Sequence, residues 1–533
     1  MVDDYHFLCA GTPREKLGGY HTTEEDGRVL DLYPISEQLR YRLPFSPAHE
    51  AVAYIESLAV EQAGEAAIYF DDIEKFGIWP ETYDWVYGKQ WLVQFIEGVL
   101  ASKIIQSRHF AEHHRENVSR GIAYLPTVSY SEMGEWSLPA AAARRYSELV
   151  HGAQNEGRLD QDRPFLRGGI WKNFLTRYPE ANWMHKRMLS LTARLAQLPA
   201  EQIRQDLVTL LHEAQANDAY WHGLFGGLYL PHLRRAVWQA IVQLERRLDA
   251  LQARPDAGSV DLDLDGVQEI FMKSLALQAV VKPDADAAVI ELSSYLLAQN
   301  FGDTLRRYEE HYHEKAKQGV SSEANRGEGI ASAHDIVRFK HDIAAEDLIP
   351  DTRSRGLFVE TYTDFTGKFP VAYQSQVAQG SAVLCMGQAG EAENLTRIGK
   401  IYGLRDNVLS VALKAAPRAE SSGGRLSTRL NLAIPCCDGP AGRYVVNGEI
   451  PGGFGDTFTW EALPELTLED HYLKGAITLR MSPPARVKAQ PHMTVSQSEA
   501  GFEKIMQAVE LTLTWPVEGP TEVAVQVEVS PLG

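Results

Sequence analysis

Cysteine is nearly absent, with four in 533 residues: Cys9, Cys385, Cys436 and Cys437. Their spacing fits neither a zinc site nor a disulfide framework, so they are expected as buried or reduced thiols. Positive charge is also scarce. The formal net charge is −19, and no Lys/Arg stripe interleaves with aromatics, so a phosphate backbone finds no general reason to bind. Nucleic acid is excluded as an expected partner. No segment approaches the roughly 18 consecutive apolar residues of a membrane span. The opening MVDDYHFLCAGTPREKL carries acids where a signal peptide carries bases. These absences lead to an expectation of a soluble, cytoplasmic chain with no membrane partner. There is no internal repeat.

What is present divides into three textures. A chain of this length is too long for one compact core. Residues 1–139 alternate short apolar runs with helical ones: VDDYHFLCAG, AHEAVAYIESLAVEQ, AAIYF, YGKQWLVQFIEGVLASK and GIAYLPT. Such βα alternation implies a parallel sheet or barrel with functional loops after the strand ends. Residues 140–255 read as helical. In PHLRRAVWQAIVQLERRLDAL, Leu233, Val237, Ile241, Leu244, Leu248 and Leu251 fall on one face at spacings of three and four, the stripe of a packed helix. Residues 256–533 shift to period-two runs such as GAITLRMS, VELTLTWP and TEVAVQVEVS, the pattern of a large antiparallel β-sandwich. Two polar stretches in it, 314–329 and 416–425, read as mobile surface loops.

The chemistry concentrates in three places. AAIYFDDIEKFGIWPETYDWVY places Asp71 and Asp72 after an apolar run, with Trp79, Tyr83 and Trp85 following. A carboxyl at a strand end among aromatics has its pKa raised by desolvation and can serve as a general acid, while the aromatic faces suit the apolar C–H patches of sugars. The alternative is a turn with an N-cap aspartate. AQANDAYWHGLFGGLYLPHLRRAVW gathers Asp218, Tyr220, Trp221, His222 and His232 around Gly223, Gly226 and Gly227. Glycines permit close backbone approach, so this connection reads as a binding site. YLPTVSYSEMGEWSLP adds Ser129, Tyr130, Glu132, Glu135 and Trp136, a stretch suited to lining the same mouth.

Together with VDDYHF, GGIWKNFLTRYPEANWMHKRM, DLDLDG and NFGDTLRRYEEHYHEK, these stretches closely resemble glycoside hydrolase family 57, in its 4-α-glucanotransferase and α-amylase branch. The resemblance covers nearly the whole chain. It implies a retaining reaction on α-1,4-glucans, an α/β plus all-β architecture with an incomplete seven-stranded (β/α)-barrel, a helical segment completing the active site, and a β-sandwich. By motif position, Asp72 corresponds to the general acid/base, and Trp79, Asp218 and Trp221 to sugar subsites. His222, Tyr130 and Glu135 are expected as further substrate-binding residues beside them. A maltooligosaccharide or starch substrate, no cofactor and a homodimer are the accompanying expectations.

The family's nucleophilic glutamate sits in a strand-end motif upstream of VDDYHF, and this sequence opens at that motif. A barrel without its first strands leaves a parallel edge open. The expectations are therefore a longer polypeptide, a separate N-terminal half that supplies the nucleophile, or a non-catalytic glucan-binding or scaffolding protein. Other clusters point elsewhere. Asp261, Asp263, Asp265 and Gly266 begin like a calcium loop but Met272 stands at its twelfth position, where a bidentate glutamate is needed, so the segment reads as a strand and turn with no metal. His109, His113 and His114 lack the HExxH order, and His311 and His313 read as a solvated pair on a strand.

Overall fold

The computed structural model describes residues 1–59, 64–318, 322–323, 329–330, 336–379, 382–388, 395–417, 423–434, 441–498 and 501–532. Cys436, Cys437 and much of the two polar stretches lie outside the described residues. Cys9 and Cys385 are free, buried thiols.

Near the start, Val2–Asp3 pairs in parallel with Pro34–Ile35. The Asp3 carboxylate then accepts the Tyr5 N–H at 3.1 Å and opens the helix Asp4–Cys9, as an N-cap does. His21–Glu25 and Arg28–Leu32 form a hairpin whose Asp26–Gly27 turn has φ of 50° and 78°, the two left-handed residues that a tight hairpin favours. The helices Ala48–Ser57 and Trp91–Ala101 appear where the apolar runs predict them. The parallel sheet expected over 1–139 is much reduced. AAIYF runs extended without a ladder, joined through single bonds such as Ser36 N–H to Ile68 C=O at 2.9 Å, and Thr22 and Ile122 share one parallel bridge. Parallel pairing depends on neighbouring strands with both faces covered, and this region keeps Val118, Ile73 and Leu100 exposed at 85 %, 81 % and 78 %.

The helical region is built from Ala140–Asn155, Pro179–Ala196, Gln205–Ala214 and Pro231–Leu251. Proline starts the second and fourth, where a missing N–H costs nothing. The expected stripe on Pro231–Leu251 packs inward through Val237, Ile241, Leu244 and Leu248 against Leu207, Leu211 and Leu191. Leu251, at the helix end, stays 40 % exposed.

The remainder is antiparallel. Five strands from Ala257–Val260 to Gln299–Asn300 pair in sequence order. A twelve-stranded sheet is centred on the long strands Gly475–Ser498 and Gly501–Val517. Alternate residues of both sheets, among them Met272, Leu277 and Leu292 from the first and Leu511, Leu513, Val525 and Val527 from the second, fill one apolar core. Val280, on the opposite face of the smaller sheet, joins the core of the helices instead. The helical layer is thus seated on that sheet.

Candidate active site

The two adjacent aspartates have opposite environments. The Asp71 side chain is buried: its carboxylate takes the Asp72 N–H at 2.9 Å, pairs with Lys75 and lies 3.6 Å from the Arg40 Nε. Asp72 occupies the cap position of the short helical turn Ile73–Phe76, yet its side chain makes no capping bond. Nor does its carboxyl hydrogen-bond or ion-pair with any described residue. Asp72 is exposed, yet partial desolvation of its carboxyl, followed by the negative charge of Asp71, pushes its pKa up. The pair separates one carboxylate locked in structure from one left unengaged with its pKa raised, because the two acids sit in unequal surroundings.

Aromatic rings extend from this point. Trp79 meets Phe225 edge-on at 5.1 Å and Phe45 at 6.0 Å, with the Lys75 ammonium 5.4 Å from its ring centre. Phe225 belongs to the glycine-rich connection, so two motifs about 145 residues apart in sequence are joined through one ring contact. On the same connection Asp218 is exposed in the turn Asn217–Tyr220, and Trp221 follows it. Trp221 stacks on Trp136 at 6.2 Å and 23°, and Trp136 meets Tyr130 at 6.3 Å. The Arg40 guanidinium lies 5.6 Å from the Tyr130 ring centre, which brings the arc back to Asp71. The Trp221 indole N–H is buried without an acceptor. Of the expected aromatic wall, Trp85 turns away to donate to the Pro44 carbonyl at 2.7 Å, and Tyr83 is exposed beside Tyr87.

His222 is buried, its Nε2 2.8 Å from the Tyr178 hydroxyl and 3.5 Å from Glu310; it faces inward from the connection. Glu135 pairs with His311 at 3.1 Å. His311 and His313 are no solvated strand pair: a helix begins at His313, which is buried with Nε2 3.3 Å from the Val495 carbonyl. Some polar residues of NFGDTLRRYEEHYHEK are buried, among them Asn300, Thr304, Glu310 and His313, whereas Glu309 and Lys315 are exposed. His113 is held by the Tyr33 hydroxyl and the Gly64 carbonyl, and His114 by Asp31, so neither is free for a metal.

Two further carboxyls, Asp4 and Glu132, are raised to about 7, chiefly by burial. Asp261, Asp263, Asp265 and Glu269 bring one oxygen each within 4.8 Å of one another. This donor set would fit a divalent cation, but the Lys282 ammonium already binds Asp263 and Asp265 at its centre. The sequence reading missed Arg40, Phe225, Arg177 and Glu310. Only the glycines around Phe225 carried a local signal of close approach.

Residues 1–126 match glycosyl hydrolase family 57, and residues 169–248 and 261–529 match the middle and C-terminal domains described as α-amylase/4-α-glucanotransferase. The 4-α-glucanotransferase of Thermococcus litoralis is 36 % identical over 99 % of this chain and 78 % of its own length. The chain belongs to glycoside hydrolase family 57. The α-amylase of Pyrococcus abyssi is 35 % identical over 98 % of this chain and 77 % of its own length. The crystal structure of the Thermococcus litoralis 4-α-glucanotransferase superposes with a TM-score of 0.81, covering 99 % of this chain and 77 % of that one. Among the described residues no helix is long and apolar enough to cross a membrane.

Proposed function

We propose that this family 57 chain acts on α-1,4-linked glucans by a retaining reaction, with Asp72 as the general acid/base. The observation that carries the reading is the unengaged Asp72 carboxyl, raised in pKa beside a locked Asp71, at one end of an arc of rings containing Trp79, Trp221 and Tyr130. The names of the relatives, 4-α-glucanotransferase and α-amylase, support the substrate class. Residues 1–139 are read as part of a (β/α)-barrel and the two antiparallel sheets as its β-sandwich partner.

The roles follow from the chemistry of acetals. A protonated Asp72 gives its proton to the departing glycosidic oxygen while a second carboxylate attacks the anomeric carbon. The resulting carboxylate form of Asp72 then takes the proton of the incoming hydroxyl. Trp79 and Trp221 present flat faces to sugar C–H surfaces. Asp218, being exposed, is placed to accept from sugar hydroxyls. A glucan-binding role without turnover is the second reading, and the small extent of parallel pairing in residues 1–139 favours it.

Asp72→Asn decides between them. Maltooligosaccharide disproportionation should fall by at least about a hundredfold, the scale of losing a general acid, with maltoheptaose binding retained. Full activity in Asp72→Asn would remove the acid/base assignment, and binding without turnover in the unaltered protein would select the second reading.

A further inference from the structure

Glu310 is the most completely buried carboxylate near the aromatic arc, and the proposed chemistry does not use it. It comes from YEEHYHEK, inside the segment that matches the C-terminal domain, and none of it is left to solvent beyond 1 %. The hydroxyls of Tyr178 and Tyr229 both donate to its Oε1 at 2.5 Å. Its Oε2 pairs with Arg177 and lies 3.5 Å from His222 Nε2. These charges and donors hold the acid ionised, well below the usual carboxylate range, against the cost of burial.

Two arms of this cluster end beside the two stacked indoles, one at the residue after Trp221 and one at the backbone of Trp136. His222 is the next residue after Trp221, and its position is fixed by Glu310 and Tyr178. Arg177, held by Glu310 through Nη2, donates from Nη1 to the carbonyls of Trp136 at 2.9 Å and Leu138 at 3.0 Å. One buried acid is therefore tied to the residue beside Trp221 and to the backbone of Trp136. Gly223, between them, leaves no slack: a Cβ there would lie 2.9 Å from the Trp136 ring and 3.1 Å from the Trp221 ring.

We infer that Glu310 is a positioning residue that sets the mutual orientation of Trp136 and Trp221, and that the pair acts as one sugar-stacking platform for an α-glucan. The inference rests on the substrate class proposed above. Two rings set 6.2 Å apart and 23° from parallel hold a pyranose only if they keep that angle, and buried, fully bonded side chains maintain such geometry better than a loop alone.

The test uses the full chain, with maltoheptaose as probe and the circular-dichroism couplet of the two indoles as a ligand-free readout. The couplet depends on the angle between the rings. Glu310→Gln keeps a group of the same shape but removes the charge that orders Arg177 and His222. It should diminish the couplet and weaken maltoheptaose binding, read by tryptophan quenching, by about tenfold, the scale of losing one well-packed aromatic anchor. In turnover the loss should appear in KM with kcat nearly unchanged. Arg177→Lys keeps the cation but not both carbonyl bonds; it should reproduce the reduced couplet and supplies the answer if Glu310→Gln fails to fold. Unaltered couplet and affinity in both variants would overturn the inference. If the unaltered protein does not bind maltoheptaose, the substrate reading fails while the couplet still decides whether Glu310 orients the pair.

Discussion

At the scale of single residues, the chain carries several acids whose surroundings differ more than their sequence contexts do. Asp71 and Asp72 are neighbours, yet one is consumed by Lys75 and Arg40 and the other is unengaged. Glu132 shows what burial without full pairing does. Its Oε2 accepts from Ser131 at 2.8 Å, its Oε1 is buried with no partner, and its pKa rises from 4.5 to about 7. A carboxyl raised on folding binds its proton more tightly in the folded chain, so stability is greatest below the unfolded pKa of 4.5 and declines as pH rises toward 7. Glutamine at this position mimics the protonated acid. Glu132→Gln should therefore leave the melting midpoint nearly unchanged at about pH 5 and stabilise the protein at about pH 8 by on the order of 2 kcal/mol, discounted for partial solvent access. Thermal melts at the two pH values check this, and equal effects at both would contradict the raised pKa.

At the scale of elements, the glycine-rich connection 217–230 is the part whose close packing was most legible and whose supports were least so. The sequence showed glycines among aromatics, which is how close backbone approach announces itself. At Gly227 the requirement is severe: φ is 46°, and a Cβ would lie 2.3 Å from the Trp221 carbonyl oxygen, which accepts the Leu228 N–H at 2.7 Å. Gly227→Ala should displace Trp221, cost about 2–3 kcal/mol and impair glucan binding. Gly157→Ala, with φ of 68° and nothing within 4 Å of the added carbon, should cost only the roughly 1 kcal/mol of left-handed backbone and leave binding intact; denaturant titrations of both variants separate clash from strain. The helix stripe of Pro231–Leu251 and the alternating Val523, Val525, Val527 and Val529 were readable because each element's own period reports its buried face. Glu310, Arg177 and Arg40 were not, because a charged residue whose partner lies in another segment of the chain, as Asp3 and Asp71 do for Arg40 and Glu310 does for Arg177, looks, locally, like any solvated one. The AAIYF run failed in the other direction: an apolar pentapeptide reads as a strand, but a ladder also needs a neighbour in register.

At the scale of the whole molecule, the question is whether the helical layer and the sheets behave as one body. Their junction is a buried ionic cluster. Arg187 lies between Glu245, at 2.8 Å on the helix Pro231–Leu251, and Glu291, at 2.9 Å on the strand Val289–Ser294. Glu291 also accepts from the Trp183 indole at 3.0 Å, from Gln278 at 2.9 Å and from Ser293 at 2.9 Å, while Val280 of the same sheet packs into the helical core. Every donor around Glu291 is thus satisfied by it, and no solvent reaches the group. Desolvating such a cluster offsets most of its Coulomb energy, so its presence alone does not stabilise the fold greatly; cutting one member does the damage, by stranding the others. Glu291→Ala leaves the Trp183 N–H and part of the Arg187 guanidinium unpaired in a dry interface, and should cost about 3–5 kcal/mol. Because the cluster joins the two layers, helical ellipticity and tryptophan fluorescence should still fall in one shared transition at lower denaturant. A variant in which the helical signal melts first, with the sheet signal at its original midpoint, would show that the layers fold independently and that the active-site connection is braced by the helices alone.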